Sequence, residues 1–160
     1  MKKVLIVVDM QKGFMTKPNY VDLQSKINKF IKQNKYEHYL FTKFINKDKS
    51  FYETKLNWFG LKNEKEQAIC VDVPKNSIIL EKYGYGLNDN QIEQIKALNV
   101  DEIDICGLET DACVYAVALQ LFDSGIFPNI LINYCQTSPN RNEFAKEMLV
   151  HQFGKVDERI

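Results

Sequence analysis

The 160 residues carry 21 Lys and Arg against 21 Asp and Glu, and this zero net charge gives a nucleic acid or an anionic membrane no electrostatic footprint to bind. The length suits one domain spanning 1–160, with enough chain to bury a core without disulfide staples. No apolar run reaches the roughly 18 residues of a membrane span, and Val4–Val8 ends at Asp9 too soon for a secretory leader, so a cytoplasmic protein is expected.

Val4-Leu5-Ile6-Val7-Val8 is apolar at every position, the pattern of a central parallel strand covered on both faces. Leu23, Ile27, Phe30 and Ile31 recur at helical spacing after Asp22, a candidate N-cap. Tyr39–Phe44 predicts the second strand. The stretch from Ile45 to Ile69 is long, polar and aromatic by turns, with Trp58, Phe59 and Gly60 near its centre; it predicts a partly helical excursion over one face rather than a bare loop. Ser77–Leu80 predicts the third strand, Tyr83–Gly86 a turn, and Ile92, Ile95 and Leu98 a helix.

Ile103–Cys106 predicts the fourth strand, ending at Gly107. From Cys113 to Asp123 a helix is expected, with Thr110 or Asp111 as its cap and Gly125 as its stop. Asn129–Asn133 predicts the fifth strand, Phe144, Met148 and Leu149 a last helix, and Lys155-Val156 a sixth strand. Short apolar runs alternating with helical ones define an α/β fold with a mainly parallel sheet.

In such sheets ligands bind beyond the carboxyl ends of the strands. Asp9 follows the first strand, Lys82 the third, and Cys113 the fourth. Alone, the aspartate reads equally as a turn former and the cysteine as core, while the lysine reads more readily as a surface charge; together they form a candidate catalytic trio. A helix N-terminus and a neighbouring ammonium lower a thiol's pKa, and Asp9 offers an acceptor for the thiol proton. His38 and His151 lie away from this rim, which disfavours a Cys-His pair. Of the other thiols, Cys70 and Cys106 sit in apolar surroundings, and Cys135 beyond the fifth strand is the rival nucleophile. Four cysteines without a C-x-x-C pair, and only two histidines, suit reduced thiols and no zinc site.

Three segments resemble the motifs of the isochorismatase-like cysteine hydrolases: Val7–Phe14, Cys106–Val114 and Asn133–Ser138. Glu81-Lys82-Tyr83-Gly84 stands where that family's lysine strand ends. The resemblance, from Val4 to about Gly154, implies a three-layer doubly wound sheet of six strands in the order 3-2-1-4-5-6. It also implies a Leu108–Glu109 cis peptide that aims the backbone N–H groups of Glu109 and Cys113 at an oxyanion. Amidase chemistry at Asp9, Lys82 and Cys113 follows from the same resemblance, with Gln11, Phe14, Trp58 and Tyr85 forming the pocket. Thr42–Asp48 holds no histidine where the family's nicotinamidases place an Asp-x-His metal site, so neither a metal nor another cofactor is expected. The implied partners are a small-molecule substrate and further copies of the chain, as a homodimer or homotetramer through Phe51–Phe59. Vinyl ether hydrolysis of the isochorismatase type and a noncatalytic binding protein are the alternatives.

Overall fold

Side chains Val4 to Val8 are fully buried, so the strand that carries them, β1 (Lys3–Val8), requires a helical layer on each face. In the computed structural model, which describes residues 1–160, β1 is the middle of a parallel sheet. Its neighbours are β2 (His38–Phe44), β3 (Ile78–Lys82), β4 (Glu102–Leu108) and β5 (Pro128–Gln136), in the order β3-β2-β1-β4-β5. All four pairings are parallel. The winding reverses between β1 and β4, where ligand sites of open α/β sheets lie.

Right-handed crossovers put α1 (Pro18–Ile31) on one face and α4 (Asp89–Ala97), α5 (Tyr115–Asp123) and α6 (Asn142–Phe153) on the other. Phe30 of α1 packs on Tyr134 of β5 with ring centroids 4.4 Å apart. Across the other layer, Phe122 of α5 meets Phe153 of α6 at 5.7 Å. The excursion after β2 contains two four-residue helices, α2 (Phe51–Thr54) and α3 (Glu64–Gln67). No helix is long and apolar enough to cross a membrane.

Gly107 is the residue that the switch point cannot replace. It pairs with Val8 in the register of β1 and β4 at φ +124°, and a Cβ there would lie 2.2 Å from the Val8 carbonyl oxygen. That backbone conformation and that spacing both demand glycine.

Local expectations needed correction in four places. α1 starts at Pro18, not after Asp22, because proline at the first helical turn is already set to a helical φ. The sixth strand is reduced to one parallel bridge of Asp157 with Leu131, made by Asp157 N–H to Ile130 O (2.8 Å) and Ile132 N–H to Asp157 O (3.0 Å). Pairing stops there because Arg159 folds back onto Asp157 and the buried Asp104. β5 bulges, so that Ile105 pairs with Ile130 but Gly107 with Cys135. Cys135 thus lies inside the strand, buried, with its thiol donating to Leu131 O, and not at the rim as a rival nucleophile. Finally, neither Thr110 nor Asp111 caps the helix after β4. A π-helical turn, Thr110–Val114, leads into α5, and the Asp111 carboxylate accepts from Thr137 and Arg141.

Candidate active site

Asp9 is the first residue beyond β1 and is wholly buried, with a left-handed φ of +48° that turns the chain at the rim. Thr42 of β2 locks it from both sides: the Asp9 N–H donates to Thr42 Oγ1 at 3.0 Å, and that hydroxyl donates to Oδ1 at 2.5 Å. Lys82 ends β3 and is 2% exposed. Its Nζ lies 2.7 Å from Asp9 Oδ2 while it donates to the carbonyls of Gly84 (2.8 Å) and Tyr85 (3.1 Å). The ammonium and Oδ2 form a buried ion pair, and the Cys113 thiol lies close enough to feel both groups.

Cys113 sits in the π turn, a local geometry common at functional sites. The residue is partly exposed through a pocket, though protein atoms crowd its sulfur. Burial pushes the thiol well above its ordinary pKa, the Asp9 carboxylate pushes it further, and Lys82 opposes both. The sequence-based expectation of a lowered pKa is therefore reversed. The ammonium that would stabilise a thiolate is already answered by Asp9, and desolvation of the sulfur dominates. Lys82 shows the complementary balance: burial pulls its pKa down, but Asp9 and Cys113 more than offset this and leave it raised. The other thiols are held up by burial, Cys70 to about 11 and Cys135 to about 12. In this arrangement an aspartate can accept a proton from a neutral thiol while a fixed ammonium balances the charge.

The Leu108–Glu109 peptide is cis. The Glu109 carbonyl accepts from Ala112 and Val114, closing the π turn, while its N–H is bonded to no protein acceptor. Cys113, Ala112 and Glu109 line a cavity of about 220 Å³ whose walls are aromatic. Phe14 and Trp58 stack with planes 10° apart and centroids 6.1 Å apart. Phe44, Tyr52 and Tyr85 continue the wall through edge-to-face contacts at 4.9 and 5.2 Å.

Of the four residues expected in the pocket, Phe14, Trp58 and Tyr85 line it and Gln11 does not. Gln11 is fully buried. Its amide donates to Phe44 O and Gln67 O and accepts from Phe44 N–H, so it splices β2 to the excursion. Sequence reasoning missed Phe44, Tyr52 and the Glu109 side chain. Phe44 was within reach, since it pairs with Lys82 at the same strand ends. Tyr52 had a fainter signal, the Ser50-x-x-Glu53 helix start whose serine does accept from Glu53 N–H.

Fold and site together define an α/β protein with a buried Asp-Lys pair beside a cysteine at the sheet's switch point. Residues 3–158 match the Isochorismatase domain, and the chain belongs to that family. No curated protein matches the sequence significantly. Among solved structures, the pyrazinamidase of Pyrococcus horikoshii in complex with zinc is 22% identical at a TM-score of 0.82, over 96% of this chain and 97% of that one. The N-carbamoylsarcosine amidase from Thermoplasma acidophilum is 17% identical at 0.85, over 99% and 96%. The nicotinamidase from Bacillus subtilis is 21% identical at 0.83, over 99% and 100%. At these identities the likeness establishes a common fold.

The zinc relative raises the question of a metal here, and the residues after β2 do not suit one. Asn46, 2% exposed, spends its amide on Gly60 O (2.9 Å), on Trp58 O and on the Ser50 hydroxyl (2.6 Å). Asp48 is exposed and paired with Lys62, and no three His, Cys, Asp or Glu side chains are gathered to hold an ion. Asn46 instead ties the two ends of the excursion that carries Tyr52 and Trp58.

Proposed function

We propose that this protein is a metal-independent cysteine hydrolase that cleaves a C–N bond, amide or carbamoyl, of a small molecule through a Cys113 thioester. The observation that carries the reading is the Asp9 carboxylate, buried and held 2.7 Å from Lys82 Nζ, with the Cys113 sulfur within electrostatic reach of both. The names of the fold relatives, amidases among them, are consistent with it.

With the thiol neutral at rest, its proton passes to Asp9 Oδ2 as sulfur attacks the carbonyl carbon. Lys82 stabilises the charge that this transfer moves. The developing oxyanion is placed against the N–H groups of Glu109 and Cys113; one such donor is worth about 2.7–4 kcal/mol in the transition state. Asp9 then gives its proton to the departing nitrogen as the C–N bond breaks, leaving an acyl thioester. Water, deprotonated by Asp9, attacks the thioester; the carboxylic acid leaves and the thiol is restored. The aromatic walls exclude bulk water from the nucleophile and bind the acyl group.

A screen of small primary amides, ureides and carbamoyl compounds, read by ammonia release, tests the proposal. Turnover is expected with wild type, unaffected by chelators, and absent in Cys113→Ala. Intact-protein mass spectrometry should show an acyl adduct, and peptide mapping should place it on the peptide containing Cys113. Activity that survives Cys113→Ala, or that chelation abolishes, overturns the mechanism.

A further inference from the structure

Among the residues lining the pocket beside Cys113, one side chain is a carboxylate and five are aromatic. The face of an aromatic ring carries negative quadrupole potential, and a cation held over it gains about 0.5–1 kcal/mol when exposed and about 2 or more when desolvated. No lysine or arginine is among the residues lining the cavity. Lys82 is turned to Asp9 and two carbonyls, and its ammonium lies 5.2 Å from the Phe44 ring centroid, so that ring already faces one cation. Lys17 forms a long salt bridge with Glu109, 4.0 Å from its Oε1, and donates to Ser138, which leaves Oε2 for a ligand. Lys47 and Lys49 line a neighbouring depression instead, with the Lys47 ammonium 3.7 Å from the Tyr83 ring centroid.

Glu109 is held in one pose. Tyr20, 1% exposed, donates its hydroxyl to Oε1 at 2.5 Å, and burial together with that bond raises the phenol's pKa so that it remains a donor. Oε2 has no protein donor. A neutral apolar acyl group would fill the box and leave Oε2 to water, and an anion would meet both the carboxylate and the ring faces. A cation answers both.

Resting on the amidase reading, we propose that Glu109 and the surrounding rings select a substrate whose acyl portion bears a fixed organic cation, a quaternary ammonium or an N-alkylated aromatic nitrogen. The carbonyl faces Cys113, and the cationic end lies among the rings with Glu109 as counter-ion. Glu109 therefore has two separate parts to play: its backbone N–H serves the oxyanion, and its side chain sets specificity.

Trp58 is the single tryptophan of the chain and lines this pocket, so its fluorescence reports occupancy without turnover. Benzyltrimethylammonium should quench it at a concentration about tenfold or more below that needed by the uncharged carbon isostere neopentylbenzene. Phenylacetate should bind more weakly than either. Trimethylglycinamide and its isostere 3,3-dimethylbutanamide should show the same order in kcat/KM. In Glu109→Gln the charged-over-neutral ratio should fall several-fold in both assays. Equal binding of the charged and neutral probes by wild type, tighter binding of phenylacetate, or an unchanged ratio in Glu109→Gln overturns the proposal. If the glutamine variant does not fold, the wild-type comparison alone decides. Cation binding without hydrolysis of any amide would sink the enzyme reading and leave this one standing; hydrolysis with a neutral preference would do the reverse.

Discussion

Lys82 and Asp9 are both removed from water, their side chains 1% and 0% exposed at a separation of 2.7 Å. Taking away one member of such a pair strands the other charge in a poorly solvating interior, a loss of about 3–5 kcal/mol. For a chain of this size that lowers Tm by about 6–20 °C, at roughly 2–4 °C per kcal/mol. The two single variants should differ in a defined direction. Asp9→Asn keeps Lys82's bonds to Gly84 and Tyr85, and asparagine tolerates the φ of +48° at this position. Lys82→Met strands both carbonyls as well. Tyr85 is exposed and Gly84 partly so, so water can reach the two oxygens, and the added loss should be near the low end for an orphaned acceptor, about 1 kcal/mol. The double variant Asp9→Asn/Lys82→Met removes both charges and should fall short of the summed losses by about 2–3 kcal/mol. Because the Lys82 pKa is raised in the folded state, its contribution is complete below the unfolded lysine value of about 10.4 and declines only as pH rises through the folded value. The differences should thus be flat from pH 6 to 9. Urea unfolding followed by Trp58 fluorescence and far-UV circular dichroism measures all four proteins. Strict additivity, single variants within 1 kcal/mol of wild type, or an aspartate variant weaker than the lysine variant would refute the account of a buried, mutually compensating pair.

Iodoacetamide should modify Cys113 ever faster from pH 7 past pH 9, since burial and Asp9 hold the thiol up; a plateau below pH 8 would mean a resting thiolate. Folding stability should decline above about pH 9, because the unfolded chain releases protons that the buried Cys106 and Cys135 retain. A urea midpoint that stays constant from pH 8 to 10 would contradict this. Asn46→Ala leaves the Gly60 carbonyl and Ser50 hydroxyl without their partner and should destabilise by about 1–3 kcal/mol, with a red shift of Trp58 emission; unchanged emission would show that the clip does not position the tryptophan. Gly107→Ala should yield no soluble folded protein at 37 °C, since the new methyl group meets main-chain atoms of Val8 at 2.2 Å, and recovery of wild-type yield would count against that packing.

Much of this was readable along the chain because it depends on near neighbours. The uninterrupted apolar run of β1, the helical spacing of Leu23, Ile27 and Phe30, and the Gly107 that ends the fourth strand's core all report periodicity or backbone conformation, which a few consecutive residues set. The alternation of these units settles a parallel α/β sheet, and with it the rim where Asp9, Lys82 and Cys113 had to fall. The motifs around Asp9 and Cys113 pointed to the family for the same reason, being short and contiguous.

Tertiary structure decided what depends on distance between remote segments. Whether Gln11 faces substrate or splices β2 to the excursion turns on where Gln67 and Phe44 come to rest. Cys135 looked like a rim residue until the β5 bulge carried it inward. The direction of the Cys113 shift could not be read from its neighbours in sequence, because it is set by desolvation, which outweighs Lys82 and is reinforced by Asp9, and all three depend on how remote segments pack around the sulfur. Local pattern specifies which elements form; the energy of a charge or a thiol is a sum over everything folded around it.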